Sequence, residues 1–183
     1  MSRPVIILVA LSLVALGIAT RLLPHLPNAT PLTAIALVSS LYLGSRWYAL
    51  ALPGIALTIS DAFIGGYDWR IMASVYLSFT LAWAITATGS KRENPVATGV
   101  SLSGSSLLFF FVTNGAVWLF SPWYEKSVAG LLYAYELGFP FLRNMFLGDI
   151  FYSILLVVVS EGMLYLWRLH HAAKSRVTAF LVS

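Results

Sequence analysis

Long apolar runs separated by short polar segments make up most of this chain. The apolar residues are continuous and do not alternate with period two, which indicates membrane helices and argues against a membrane β-barrel. A helix needs about 20 apolar residues to cross a bilayer. The pattern therefore predicts an all-α membrane protein, a six-transmembrane-helix bundle. The predicted helices cover residues 4–23, 32–43, 47–64, 69–88, 96–120 and 140–169.

Prolines and glycines set the predicted boundaries. Pro4 suits the first turn of a helix, where its missing N–H group costs nothing. The three prolines within residues 24–31 prevent a regular helix there. Pro53 is expected to kink the third helix. Residues 128–137 are too short a run to cross a bilayer, so we expect a separate surface or re-entrant helix before the last span.

The first apolar run has the charged start and apolar centre of a signal peptide. We expect an uncleaved first helix instead, because the run is long and no soluble domain follows that would need export. The linkers are short and no internal repeat is evident. Residues 1–183 are therefore predicted to form a single integral membrane domain.

Composition supports this class and excludes several kinds of site. The chain is 59% hydrophobic and 10% charged, whereas a soluble domain carries about 25% charged residues. The absence of cysteine rules out disulfides and thiolate metal sites. No HExxH, GxSxG or Walker A motif is present, so we predict no enzyme, no cofactor and no metal. The sequence has no basic segment with interleaved aromatic residues, so we do not predict nucleic acid as a partner.

Lysine and arginine positions predict the orientation. With the N-terminus in the cytoplasm, seven of the 11 Lys and Arg residues lie inside, in agreement with the positive-inside rule. The four placed outside are Arg21, Arg70, Lys126 and Arg143. An even number of helices then leaves both termini in the cytoplasm.

In this topology, polar and aromatic residues from five segments fall in the outer half of the bundle. Polar groups at membrane depth are costly and usually mark a site or a buried pair. Apolar pockets with a few convergent polar groups bind small molecules. We therefore predict a substrate-binding site. Its predicted residues are Asn28, Asp61, Asn114, Trp118, Tyr124, Arg143, Asn144 and Asp149.

Each of these residues has a functional and a structural interpretation. Arg143 could hold a carboxylate or phosphate with its planar guanidinium, or it could pair with Asp61 or Asp149. Asparagines could orient a ligand or form hydrogen bonds between helices. Trp118 could stack on a flat ring, or it could belong with Tyr124 to an interfacial aromatic belt.

Four segments carry a resemblance to a known family: PNATP (27–31), ISDAF (59–63), FFFVTNGAVW (109–118) and GLLYAYELGFPFLRNMFLGD (130–149). They resemble the pattern of an uncharacterised family of bacterial membrane proteins described as transport proteins. The resemblance covers about Arg21 to Leu155. Members of that family are similar, more distantly, to the substrate-binding S components of energy-coupling factor (ECF) vitamin transporters.

The resemblance implies an ECF S-component-like bundle in the bacterial inner membrane, with a site near its outer face. The implied function is binding and uptake of a small molecule, such as a vitamin or a precursor. It also implies an ECF energising module as a partner. The alternative is that the protein works without such a module. The other expected contacts are a small-molecule substrate and membrane lipid. A structural or assembly subunit without a ligand is the rival interpretation.

Overall fold

The computed structural model describes the backbone of residues 3–182 and the side chains of residues 3–169. Six helices and no strand are present in this described part. They are α1 (Arg3–Leu22), α2 (Leu32–Tyr42), α3 (Arg46–Ile64), α4 (Trp69–Gly89), α5 (Pro95–Phe120) and α6 (Val128–Val182). The prediction of an all-helical protein is confirmed. The bounds of α1 to α5 differ from those expected by no more than one residue.

Five of the six helices are long and apolar enough to cross a membrane, namely α1, α3, α4, α5 and α6 within Val128–Leu169. Helix α2 has only 11 residues, which is about 16 Å and half of a ~30 Å hydrocarbon core. Its first eight residues are all buried. The prediction of six spanning helices is therefore wrong for α2, which is a half-length helix enclosed by α1, α3, α4 and α6.

Helix α6 is longer than expected, because residues 128–137 do not form a helix of their own. The helix is continuous from Val128 and contains Pro140. Membrane helices tolerate proline when neighbouring groups satisfy the freed backbone. Gly138 lies in the predicted gap between residues 137 and 140, and it packs directly against the Asn114 side chain, which leaves no room there for a Cβ atom. Its role is close helix packing, not termination.

Side-chain caps explain where α4 and α5 begin. Asp68 accepts a hydrogen bond from the backbone N–H of Arg70 at 2.9 Å, and Asn94 accepts one from Ala97 at 2.9 Å. Such caps satisfy N–H groups that have no partner within the helix. The hydrogen-bonded Arg70 guanidinium also lowers the pKa of Asp68 to about 2.

Small residues bring α1 and α3 close together. A Cβ atom on Gly17 would lie 2.8 Å from the Cβ of Ala56. Close approach at small residues is the usual way in which membrane helices pack. Arg21 lies one turn beyond Gly17, and Asp61 lies just over one turn beyond Ala56. The contact therefore places these two charged residues within reach of each other.

Candidate functional site

A cavity of about 230 Å³ lies at the end of the bundle where α1 and α3 finish and α4 begins. Its walls come from all six helices and from the loops that follow α1 and α3. Exposed residues form its mouth, including His25, Asn28 and Tyr67, whereas buried ones such as Phe109 and Asp149 form its floor. The cavity therefore extends from the surface into the core, and we call it the main cavity.

The loop of residues 23–31 forms one wall of the main cavity. Because α2 is half-length, this loop enters the bundle before α2 begins, and both Thr30 and Pro31 are buried. Asn28 has a φ of 64°, a backbone conformation that asparagine tolerates better than most residues. Ala29 packs on α6 at Gly148, where a Cβ atom would lie 2.9 Å from the Ala29 Cα. The proline-rich loop is thus held against α6.

Arg21 and Asp61 form an ion pair at the cavity wall. Arg21 Nε also donates to Ser60 Oγ at 2.6 Å. The second carboxylate oxygen of Asp61 accepts from the Tyr76 hydroxyl at 2.9 Å. Both charged side chains are largely buried, with 16% and 10% of their surface exposed. This network neutralises both charges and connects α1, α3 and α4.

Asp149 on α6 has a different environment. It is 3% exposed, and one carboxyl oxygen accepts from Ser106 Oγ at 2.6 Å. The Thr33 hydroxyl, at the start of α2, lies beside the same carboxyl group. No lysine, arginine or histidine among residues 3–169 forms an ion pair with Asp149. The cavity floor thus contains a buried carboxyl group whose neighbours within the described part of the chain include hydroxyls but no cation.

Three of the eight residues predicted from the sequence line the main cavity: Asn28, Asp61 and Asp149. Arg143 is exposed on α6 and does not line it. The alternative in which Arg143 pairs with Asp61 or Asp149 is not seen among residues 3–169, since Asp61 pairs with Arg21 and Asp149 has no ion pair. The expected convergence of Arg143 with the two carboxylates is therefore corrected.

Three other predicted residues lie around the connection between α5 and α6. Asn114 Nδ2 donates to the Phe110 carbonyl in its own helix at 2.9 Å, and Trp118 Nε1 donates to the Glu125 carbonyl at 2.9 Å. The Tyr124 ring packs edge-on against Tyr133. The Trp118 and Tyr124 contacts hold the connection in place, whereas the Asn114 hydrogen bond stays within α5. None of the three predicted residues lines the main cavity.

Asn144, the last predicted residue, is buried beside a separate cavity of about 260 Å³. It shares that space with His25 and Ala29. Its Oδ1 has no hydrogen-bond partner among the residues that the structure describes. The proline-rich loop therefore separates Asn144 from the main cavity, and His25 contacts both spaces.

Sequence reasoning missed Arg21, His25 and Tyr67 as cavity residues. Arg21 was used only to predict the orientation in the membrane. His25 and Tyr67 lie in loops, where the sequence gives no sign that a side chain lines a cavity. A signal for Arg21 was present, because it ends an apolar helix and a long side chain there can extend to a neighbouring helix. The partner helix could not be read from the sequence.

A second polar cluster lies at the opposite end of the bundle. Arg92 donates twice to Glu161, at 2.7 and 2.6 Å, and the Tyr42 hydroxyl donates to the same carboxylate at 2.8 Å. The Arg92 guanidinium lies 5.1 Å from the centre of the Tyr42 ring. This cluster joins α2, the loop after α4, and α6.

Comparison with known proteins gives one match. The model of a family described as "Family of unknown function (DUF6580)" matches residues 2–172. No curated protein matches the chain, and no solved structure matches it. Among residues 3–169, no group of three or more His, Asp or Glu side chains is placed to hold a metal ion.

Proposed function

We propose that this chain, which belongs to the family of unknown function DUF6580, binds a small polar solute in the main cavity and carries it into the cell. The observation that supports this most is a cavity of about 230 Å³ that reaches a buried carboxyl group, Asp149, at membrane depth. Polar groups at that depth are costly and usually functional.

The size and lining of the cavity indicate the kind of solute. Pockets for drug-sized ligands measure about 300–1,000 Å³, so the main cavity suits a smaller molecule, such as a vitamin precursor. Apolar residues including Leu57, Phe79 and Met145 alternate with the polar groups on its wall. This combination would bury the apolar part of a ligand and orient its polar part.

The architecture supports passage as well as binding. Transporters commonly place their sites where a helix is interrupted at membrane depth, and α2 begins in this way beside Asp149. The main cavity begins at exposed loop residues and ends at a buried floor. We propose that the cluster of Arg92, Glu161 and Tyr42 at the far end keeps it accessible from one side only. With the loop charges arranged by the positive-inside rule, that side is the outer face of a bacterial inner membrane, and both termini are cytoplasmic.

The chain has no Walker A motif, so the energy for uptake comes either from an ion gradient or from a partner. An ECF-type energising module is the partner that the S-component resemblance implies. Uptake into vesicles that contain the purified chain alone would support an ion gradient. Uptake only after addition of such a module would support the partner.

A cavity-filling variant tests the proposal. Val75 lines the main cavity, and Val75→Phe places additional carbon atoms inside it. Val100→Phe is the matched control, because Val100 is 67% exposed on the outer surface of α5. We expect ligands that raise the melting temperature of the wild type to have no effect on Val75→Phe and an unchanged effect on Val100→Phe. Equal ligand responses in both variants would place binding elsewhere.

A structural subunit without a ligand is the alternative, and one observation favours it. The Arg21–Asp61 network is satisfied within the chain, since Ser60 and Tyr76 complete its hydrogen bonds. Native mass spectrometry of gently extracted protein separates the two functions. A bound small molecule that disappears in Val75→Phe supports binding, whereas a ligand-free wild type in a fixed complex with another subunit supports the alternative.

A further inference from the structure

The charged groups at the main cavity do not balance. Its titratable lining residues are Arg21, His25, Asp61, Tyr67 and Asp149. Arg21 and Asp61 cancel each other in their ion pair, and burial raises the pKa of Tyr67, which keeps its hydroxyl neutral. His25 lies at the exposed mouth, where its ring hydrogen-bonds to the Leu23 carbonyl of its own loop. Asp149 has only hydroxyl partners among the described residues. An ionised Asp149 therefore leaves one uncompensated negative charge at the floor.

Aromatic rings surround the same space. Phe79 and Phe109 line the cavity with their ring centres 4.3 Å apart, and Tyr67 lines its mouth. The faces of aromatic rings attract ammonium groups, and this attraction is strongest where water is excluded. A carboxylate and aromatic rings in one small cavity are both complementary to a cation.

Arg21 is poorly placed to bind an anion. Its Nε donates to Ser60 and its Nη2 binds Asp61, so an anionic ligand would have to compete with an existing carboxylate. The Asp149 carboxylate, by contrast, can still accept further hydrogen bonds. A carboxylate can accept about four hydrogen bonds. The Ser106 hydroxyl supplies one of them, and the Thr33 hydroxyl lies beside the same group.

We propose that the solute bound in the main cavity carries a protonated amine, and that the Asp149 carboxylate is its counter-ion. The ammonium donates to Asp149, and the rest of the molecule lies against Phe79 and Phe109. This inference rests on the proposed function and names the class of substrate. Because a buried carboxylate without a cation is costly, the ammonium offsets a charge that the protein itself leaves unpaired.

Three probes with the same four-carbon chain test the charge preference. Butylammonium, 1-butanol and butyrate are titrated against the purified protein at pH 7, with the melting temperature and calorimetric heat as readouts. We expect saturable binding of butylammonium alone. Tighter binding of butanol or butyrate, no response to butylammonium, or an equal response to sodium chloride would each overturn the inference.

Two variants locate the charge. Asp149→Asn keeps the side-chain shape and removes its charge, and we expect butylammonium to bind at least about tenfold more weakly. Asp68→Asn is the matched control, because Asp68 lies outside the cavity at the start of α4, and we expect unchanged binding. Wild-type affinity in Asp149→Asn would overturn the inference.

If Asp149→Asn does not fold, the pH dependence of butylammonium binding to the wild type tests the role of Asp149. A proton and an ammonium group compete for one carboxylate, so the affinity for butylammonium should fall with decreasing pH, by up to tenfold per pH unit. Butylammonium itself stays protonated throughout. An affinity that does not change with pH would contradict the role of Asp149. Binding of butyrate that Val75→Phe abolishes would leave the proposed function intact and refute only the preference for a cation.

Discussion

At the scale of single residues, the direction in which a side chain faces decides its role more than its depth does. Arg143 and Asp149 are six positions apart, so at 3.6 residues per turn they face about 120° apart on α6. Asp149 faces the core and Arg143 the exterior. Loop charges and helix lengths predict depth from the sequence, and Asp61 and Asp149 were found in this way. They do not identify a cation on another helix, so Arg21 was missed.

Removing Arg21 should destabilise the fold. In Arg21→Ala, Asp61 keeps its hydrogen bond from Tyr76 but becomes a largely buried carboxylate without a cation. Breaking a buried pair from one side costs about 3–5 kcal/mol. We expect a loss of that order in the free energy of unfolding, measured by denaturant titration in detergent micelles.

Arg143→Ala is the control for this prediction, because Arg143 is exposed and such substitutions usually change stability by no more than about 0.5 kcal/mol. The double variant Arg21→Met with Asp61→Asn removes both charges and should recover much of the loss. If Arg143→Ala were the more damaging single change, the assignment of the ion pair would be incorrect.

At the scale of helices, the apolar runs predicted which helices exist and where α1 to α5 begin and end. The main error was the predicted break in α6, at a glycine and a proline. The triplet Gly138-Phe139-Pro140 has the composition of a helix end, yet α6 passes through it. The reason is tertiary, because Asn114 occupies the space beside Gly138. A contact between two helices cannot be read from the local sequence of either one.

A pair of glycine substitutions on α6 tests this explanation. Gly138→Ala would drive a methyl group into the Asn114 side chain, and overpacking of this kind costs about 1–3 kcal/mol. Gly162→Ala is the matched control, because a Cβ atom added there would have no neighbour within 4 Å outside its own helix backbone, and alanine favours helices over glycine. Thermal unfolding should show a lower melting temperature for the first variant only. Equal effects would mean that Gly138 is not a packing site.

At the scale of the whole molecule, the two ends of the bundle differ in chemistry. One end holds the main cavity, and the other holds the cluster of Tyr42, Arg92 and Glu161. The lysines and arginines near the helix ends predict from the sequence which ends lie on the same side of the membrane. The pairing of Arg92 with Glu161 could not be predicted in this way, since it joins positions 69 residues apart.

Labelling of a single cysteine tests whether this cluster closes its end. The chain has no cysteine, so Ser153→Cys, which lies in a cavity of about 290 Å³ beside the cluster, provides a unique thiol. Adding Glu161→Gln should weaken the contact with Arg92 and increase the rate of reaction with a water-soluble maleimide severalfold. Glu136→Gln, exposed at the other end of α6, should leave the rate unchanged. Identical rates in all three proteins would show that the cluster does not restrict access.

Helix α2 has one further property that follows from its length. It carries Thr33 beside Asp149 at one end and Tyr42 beside Glu161 at the other, and no proline or glycine interrupts the sequence between them. The two side chains therefore belong to one stiff rod about 14 Å long. A displacement of the Thr33 end of α2 also displaces its Tyr42 end. Binding in the main cavity can therefore alter the cluster at the other end of the bundle through α2 alone.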